Sequence, residues 1–169
     1  MKFDEKYTIA LNFVALITDT KWDSFEAIST VAKIDISQGR FNYIEHRNNA
    51  YKLLEIVIST VFIMLLISYK FYELDLAITL FYLSFELINF VIYPIYKIKT
   101  CYLQLERLAK KVTTNKIVAG VIRFFISLLR TPFCTGIGQV TSSIYQFITV
   151  NMMFHRNFVI DKEGKVFEK

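Results

Sequence analysis

Glycine, proline, tryptophan and cysteine are all scarce in this chain of 169 residues, which has 5 Gly, 2 Pro, 1 Trp and 2 Cys. So few glycines and prolines leave little material for tight turns and point to long helices. Cys101 and Cys134 have neither a CxxC spacing nor a neighbouring histidine pair. That excludes a disulfide-stapled miniprotein and a zinc motif, and fits free thiols in a reducing compartment. Also missing are a phosphate-binding glycine loop, a Gly-x-Ser-x-Gly elbow and a kinase motif set. The two histidines, His46 and His155, are far apart in sequence, so metal-ion or triad catalysis has almost nothing to use and no cofactor is implied. No internal repeat or low-complexity tract is present. The first residues do not read as a signal peptide: Asp4 and Glu5 interrupt the start, and the apolar run 7–18 ends at Asp19 without a small-residue cleavage site.

What is abundant is apolar surface. Hydrophobic residues make up 54% of the chain, with 16 Phe and 10 Tyr, and mean hydropathy is +0.38. This composition excludes a disordered chain, disfavours a purely soluble enzyme and points to one all-α domain, partly in a membrane.

The formal net charge of +5 is unevenly distributed. Residues 1–52 hold seven basic and seven acidic groups and sum to zero. Residues 53–96 carry Lys70 against Glu55, Glu73, Asp75 and Glu86, a net −3. Residues 97–130 carry eight basic groups against Glu106, a net +7, residues 131–154 carry no charge, and the tail adds +1.

These segments define the expected organisation. Residues 1–52 form an N-terminal cytoplasmic helical region, with apolar Tyr7, Leu11, Val14, Ile17, Trp22, Phe25, Ile28 and Ala32 at helical steps. A break is expected between Asp19 and Asp23, and a turn near 35–40 at Gly39. Residues 53–96 read as an apolar helical hairpin. Its first arm, 53–69, has 17 residues and reaches roughly 25 Å, near the short limit of a span. The second, 76–96, holds twelve Leu, Ile, Val and Phe, worth about −5 kcal/mol on insertion. That outweighs a cost of roughly +3 kcal/mol for Glu86 in its middle. Arg40, Arg47, Lys52, Lys97 and Lys99 flank the hairpin and place both its ends in the cytoplasm.

Residues 97–130 read as basic amphipathic or interfacial helices. The first covers 95–112, with Ile95, Ile98, Tyr102, Leu105, Ala109 and Val112 on one face and Lys97, Arg107, Lys110 and Lys111 elsewhere. Thr113 and Thr114 end it, Asn115 caps the next helix, and 117–129 is too short to cross alone. Residues 131–154 form an uncharged helix with a polar stripe: Thr135, Gln139, Ser142, Gln146 and Thr149 recur at steps of four and three. Ile137, Val140, Ile144, Ile148 and Met152 occupy its other faces. Residues 155–169 carry the pattern of a small β-hairpin, 158–161 pairing with 165–168.

Three sets of residues could carry function. The stripe fits polar contacts between packed helices, the wet face of a soluble bundle, or the lining of a pore in a ring of subunits. Glu86 and Arg123 are ionisable groups inside apolar segments, and such groups pair or face water. Arg40 and His46 could act as a phosphate-binding cation and a general acid–base. The cations of 97–130 favour anionic lipid over nucleic acid, because the stretch directly follows an apolar segment and lacks interleaved aromatics.

The Arg40–His46 spacing resembles the active-site motif of HEPN-type RNases, with Phe41 where that family has a polar residue. Small size, apolar helices, this divergent motif and a polar-striped helix are together similar to the transmembrane accessory proteins of type VI-B CRISPR systems. The 53–96 hairpin followed by YKIKTCYLQLERL, from Tyr96 to Leu108, also resembles the SLATT two-helix membrane effectors. These resemblances imply a homo-oligomeric pore or membrane-perturbing effector of the bacterial inner membrane, active in antiviral defence and functionally linked to an RNA-guided ribonuclease. The partners so implied are the lipid bilayer and further copies of the chain. Two other readings stand beside it: a HEPN-like ribonuclease using Arg40 and His46, and a non-catalytic subunit of a larger membrane complex.

Overall fold

The computed structural model describes residues 3–106, 108–129 and 132–169, apart from the side chains at positions 3, 4, 7, 18, 20–24, 72 and 132. Arg107, Thr131 and the side chains of Tyr7 and Trp22 therefore lie outside the described parts. The elements are α1 (Phe3–Ser37), α2 (Tyr43–Tyr72), α3 (Leu76–Leu105), α4 (Ala109–Ser127) and α5 (Pro132–Asn157). A tail hairpin follows, made of β1 (Phe158–Ile160) and β2 (Val166–Glu168).

Local chemistry sets most of the boundaries. No glycine or proline occurs before Gly39, and α1 is one helix of 35 residues. The expected break between Asp19 and Asp23 is absent, because charge alone does not interrupt backbone hydrogen bonding and Asp19 is exposed to solvent. Gly39, at φ +69°, makes the turn that follows. Asn42 caps α2, its Oδ1 accepting from the Glu45 N–H at 3.1 Å. Glu73 ends α2 in the left-handed region, and Asp75 starts α3 by accepting from the Ile78 N–H at 3.1 Å.

Two boundaries differ from the sequence expectation. The 95–112 helix does not exist as a unit: α3 continues from the apolar hairpin to Leu105, through Pro94, and α4 begins at Ala109. Asn115 caps nothing; it lies buried within α4. Thr113 and Thr114 do not end a helix, because their hydroxyls donate to the carbonyls of Ala109 and Lys110, at 2.9 and 3.0 Å.

Helix α3 is central, packing against α1, α2, α4 and α5, while α4 and α5 form a second pair. The core joins Val14, Ile17 and Phe25 of α1, Leu54, Val61 and Leu65 of α2, Leu83, Phe90 and Leu103 of α3, Val112 of α4, and Val150 and Phe154 of α5. Helices α1 and α3 run parallel: Leu11 and Val14 share a cavity wall with Tyr82 and Phe85, Phe25 packs on Tyr93, and Cys101 Sγ approaches the Ser29 carbonyl. The first turns of α1 thus point to the end of the bundle that holds the α2–α3 connection.

Helix α5 is also parallel to α3, with Phe133 stacked on Phe81 and Asn151 beside Lys99. Two glycines permit this packing. A Cβ at Gly136 would sit 2.9 Å from Phe85, and one at Gly138 would meet the Arg123 carbonyl of α4 at 3.1 Å. The tail hairpin forms as expected, antiparallel, with Phe158 opposite Glu168 and Ile160 opposite Val166. It clamps the start of α2: Asn42 Nδ2 donates to the Glu163 carbonyl at 2.9 Å, and the Tyr43 N–H to the Gly164 carbonyl at 2.8 Å.

Candidate functional site

The polar stripe of α5 spirals into the bundle and divides. Thr135 and Gln139 open on a cavity of about 420 Å³ between α1, α3 and α5, whose wall includes Asp19, Tyr82 and Glu86. Ser142 is buried. Gln146 is half-buried. Thr149 faces a second cavity, about 370 Å³, between α4 and α5. Its hydroxyl donates to the Tyr145 carbonyl at 2.7 Å, which satisfies it within the helix. The outer face of α5 is apolar, with Ile144, Ile148 and Met152 exposed.

Glu86 is 9% exposed and sits where three helices meet. Arg123 stands exposed on α4. The structure does not bring the two together; Arg123 contributes its backbone carbonyl to the α4–α5 contact. Burying a carboxylate among apolar helices is costly unless polar groups or water surround it. The Asp19, Thr135 and Gln139 side chains supply such a polar setting in the same cavity.

Arg40 and His46 come together through a residue that the sequence did not single out. The carboxylate of Asp35, on the last turn of α1, takes His46 Nε2 at 3.1 Å and the Arg40 guanidinium at 4.0 Å. His46 is 5% exposed, and the Phe41 ring stacks on it at 5.1 Å. Phe41 occupies the place of a polar residue in the resembling motif, and here it helps to close the imidazole off from solvent. The arrangement orients an imidazole and ties α1 to α2, but it offers that imidazole no open approach. A cavity of about 240 Å³ lies beside it, lined by Gly39, Phe41, Tyr102 and Lys165.

A second cluster was also invisible in the sequence. Lys99 of α3 is 5% exposed. Its Nζ donates to Asn151 Oδ1 at 2.5 Å, lies 3.4 Å from His155 Nε2, and sits over the rings of Tyr43 and Phe154 at 5.4 and 5.3 Å. The amide dipole and two aromatic faces replace a counterion. Burial, then the Lys99 and Lys169 cations, hold His155 below the usual histidine value. Asn151 and His155 lie 52 and 56 positions from Lys99 in the sequence, so no local motif announces them.

Arg40, Arg47, Lys97, Lys99 and the tail lysines gather where α2 begins and α3 ends, together with Asp35, Glu45 and Glu106, whereas Lys70, Glu73 and Asp75 occupy the opposite connection. Two helices, α2 and α3, are long and apolar enough to cross a membrane. Among the described residues no group of three or more His, Cys, Asp or Glu could hold a metal ion. Comparison with protein-family models, curated proteins and solved structures finds no match for this chain.

Proposed function

We propose that this chain is an integral membrane protein whose helices assemble into a homo-oligomeric, membrane-permeabilising pore. The observation that carries the reading is the outward face of the helices. In the most apolar stretch of α2 and of α3, only 22% and 33% of the residues are buried. Ile56, Phe62, Ile63, Leu66, Ile67 and Phe71 of α2 all face outward. A core helix of a soluble protein would bury such residues, and an apolar patch this large needs lipid or protein to cover it.

The charge layout supports an orientation with the lysine-bearing end in the cytoplasm and Glu73 and Asp75 outside. Helices α4 and α5 lie alongside α3, so the Thr135 to Thr149 stripe runs through the same layer as the apolar faces. Thr135 and Gln139, with Asp19 and Glu86 in the same cavity, supply the polar groups from which a wet path is built. The resemblance to membrane effectors of bacterial defence supplies the setting, permeabilisation of the inner membrane on infection.

The test is dye release from vesicles reconstituted with the purified chain. Gln139→Leu with Gln146→Leu should bring release down to that of empty vesicles while vesicle flotation still carries the protein. Undiminished release from the double variant would refute the pore.

A further inference from the structure

The cavity between α4 and α5 is chemically unlike the rest of the bundle. From position 107 to position 160 the sequence contains no Asp or Glu, yet it contains seven Lys and Arg. Among the described residues no carboxylate lines the cavity, whereas Lys111 of α4 and Arg156 of α5 both do. The two cations come from the first turn of one helix and the last turn of its antiparallel neighbour, and they share a space of about 370 Å³. Two cations lining one cavity, with no carboxylate beside them among the described residues, are complementary to an anion from outside.

Polar and apolar walls refine this. Asn115, only 7% exposed, lines the cavity with Thr114 and Thr149. Both threonine hydroxyls already donate to carbonyls of their own helices, at 3.0 and 2.7 Å, so the cations, the Asn115 amide and the Tyr145 hydroxyl remain as donors to a ligand. The other wall is Val118 with Met152, and the apolar surface continues along exposed Val121 and Ile148 towards the middle of the helices. A charged head beside an apolar track is the shape of a phospholipid at the edge of a bilayer.

We propose that the α4–α5 cavity binds the phosphate headgroup of an anionic phospholipid, through Lys111 and Arg156, with its acyl chain along Val118, Val121, Ile148 and Met152. This rests on the membrane reading above. An anionic lipid bound here joins α4 to α5 at the cytoplasmic edge and ties bundle stability to lipid charge. Each cation near an anionic surface contributes about 1 kcal/mol, roughly a fivefold preference.

The experiment places the full chain in vesicles of phosphatidylcholine with or without one-fifth phosphatidylglycerol, and counts co-purifying phosphatidylglycerol by native mass spectrometry. Lys111→Gln and Arg156→Gln should each lower its retention roughly fivefold, and together roughly 25-fold. Lys162→Gln with Lys165→Gln, in the tail turn, should leave it unchanged. Flotation of the vesicles reports insertion separately: a chain that does not float sinks the membrane reading. A chain that floats but retains phosphatidylglycerol equally in all variants overturns the site. Displacement of the lipid by millimolar inorganic phosphate would assign the cavity to a soluble phosphate and overturn the lipid assignment.

Discussion

Replacing Gly136 and Gly120 by alanine separates helix propensity from helix packing. Both glycines lie inside helices, where alanine is favoured by about 1 kcal/mol. At Gly120 the new Cβ meets nothing within 4 Å. Gly120→Ala should therefore stabilise by about 1 kcal/mol, raising the unfolding midpoint by roughly 2–4 °C in a chain of this size. At Gly136 the same Cβ would stand 2.9 Å from Phe85 Cδ2 and 3.0 Å from its Cγ. The Phe85 ring has little room to yield, packed edge-on against Phe81 at 5.5 Å and Phe133 at 6.0 Å. Overpacking of this kind costs about 1–3 kcal/mol, which cancels or exceeds the propensity gain. Gly136→Ala should thus lie between neutral and about 2 kcal/mol destabilised, with its midpoint roughly 2–12 °C below that of Gly120→Ala. The assay is circular dichroism at 222 nm during heating in mild detergent. Adding Phe85→Leu to Gly136→Ala should recover part of the loss, because contacting residues couple by about 0.5–3 kcal/mol. Equal stabilisation by the two alanines would refute the close approach of α3 and α5.

Two further outcomes follow from the lysine-bearing end. His155 is held below its usual value, so the unfolded chain takes the proton first; stability is full above about pH 7 and declines on acidification through 6.5. Thermal midpoints recorded from pH 8 to pH 5 should show this decline, and His155→Gln should lessen it. Gly164→Ala should cost about 2 kcal/mol or more, since φ is +85° there and a Cβ would collide with the Asn42 side chain. Trypsin should then cut at Lys162 and Lys165 much faster than in the parent, and an unchanged cutting rate would count against the clamp.

Much of the architecture was legible locally. Periodicity in 7–33 marked the buried face of α1, where Val14, Ile17, Phe25 and Ala32 are all buried. The alternation around Gly164 marked the tail hairpin, and Gly39 the turn after α1. These signals work because each depends on neighbours within a few residues. The helix ends between 95 and 117 were misjudged for the same reason. A change in charge at Lys97 looked like a boundary, whereas the backbone there has no breaker, and threonines that bond back to their own helix do not stop it.

The sequence by itself determined that this protein is helical, which two helices carry enough apolar surface to cross a membrane, and how charge divides between its ends. Those properties are sums over local composition and period. Only the tertiary structure decided that Asp35 joins Arg40 to His46, and that Lys99 lies in an aromatic cage with Asn151 and His155. It also decided that the α5 stripe splits between two cavities, and that Lys111 shares a space with Arg156. Each of these depends on helices far apart in the chain coming into contact. Direction and register of that packing are set by small residues and ring stacks, such as Gly136 against Phe85, whose meaning appears only once the partner helix is in place.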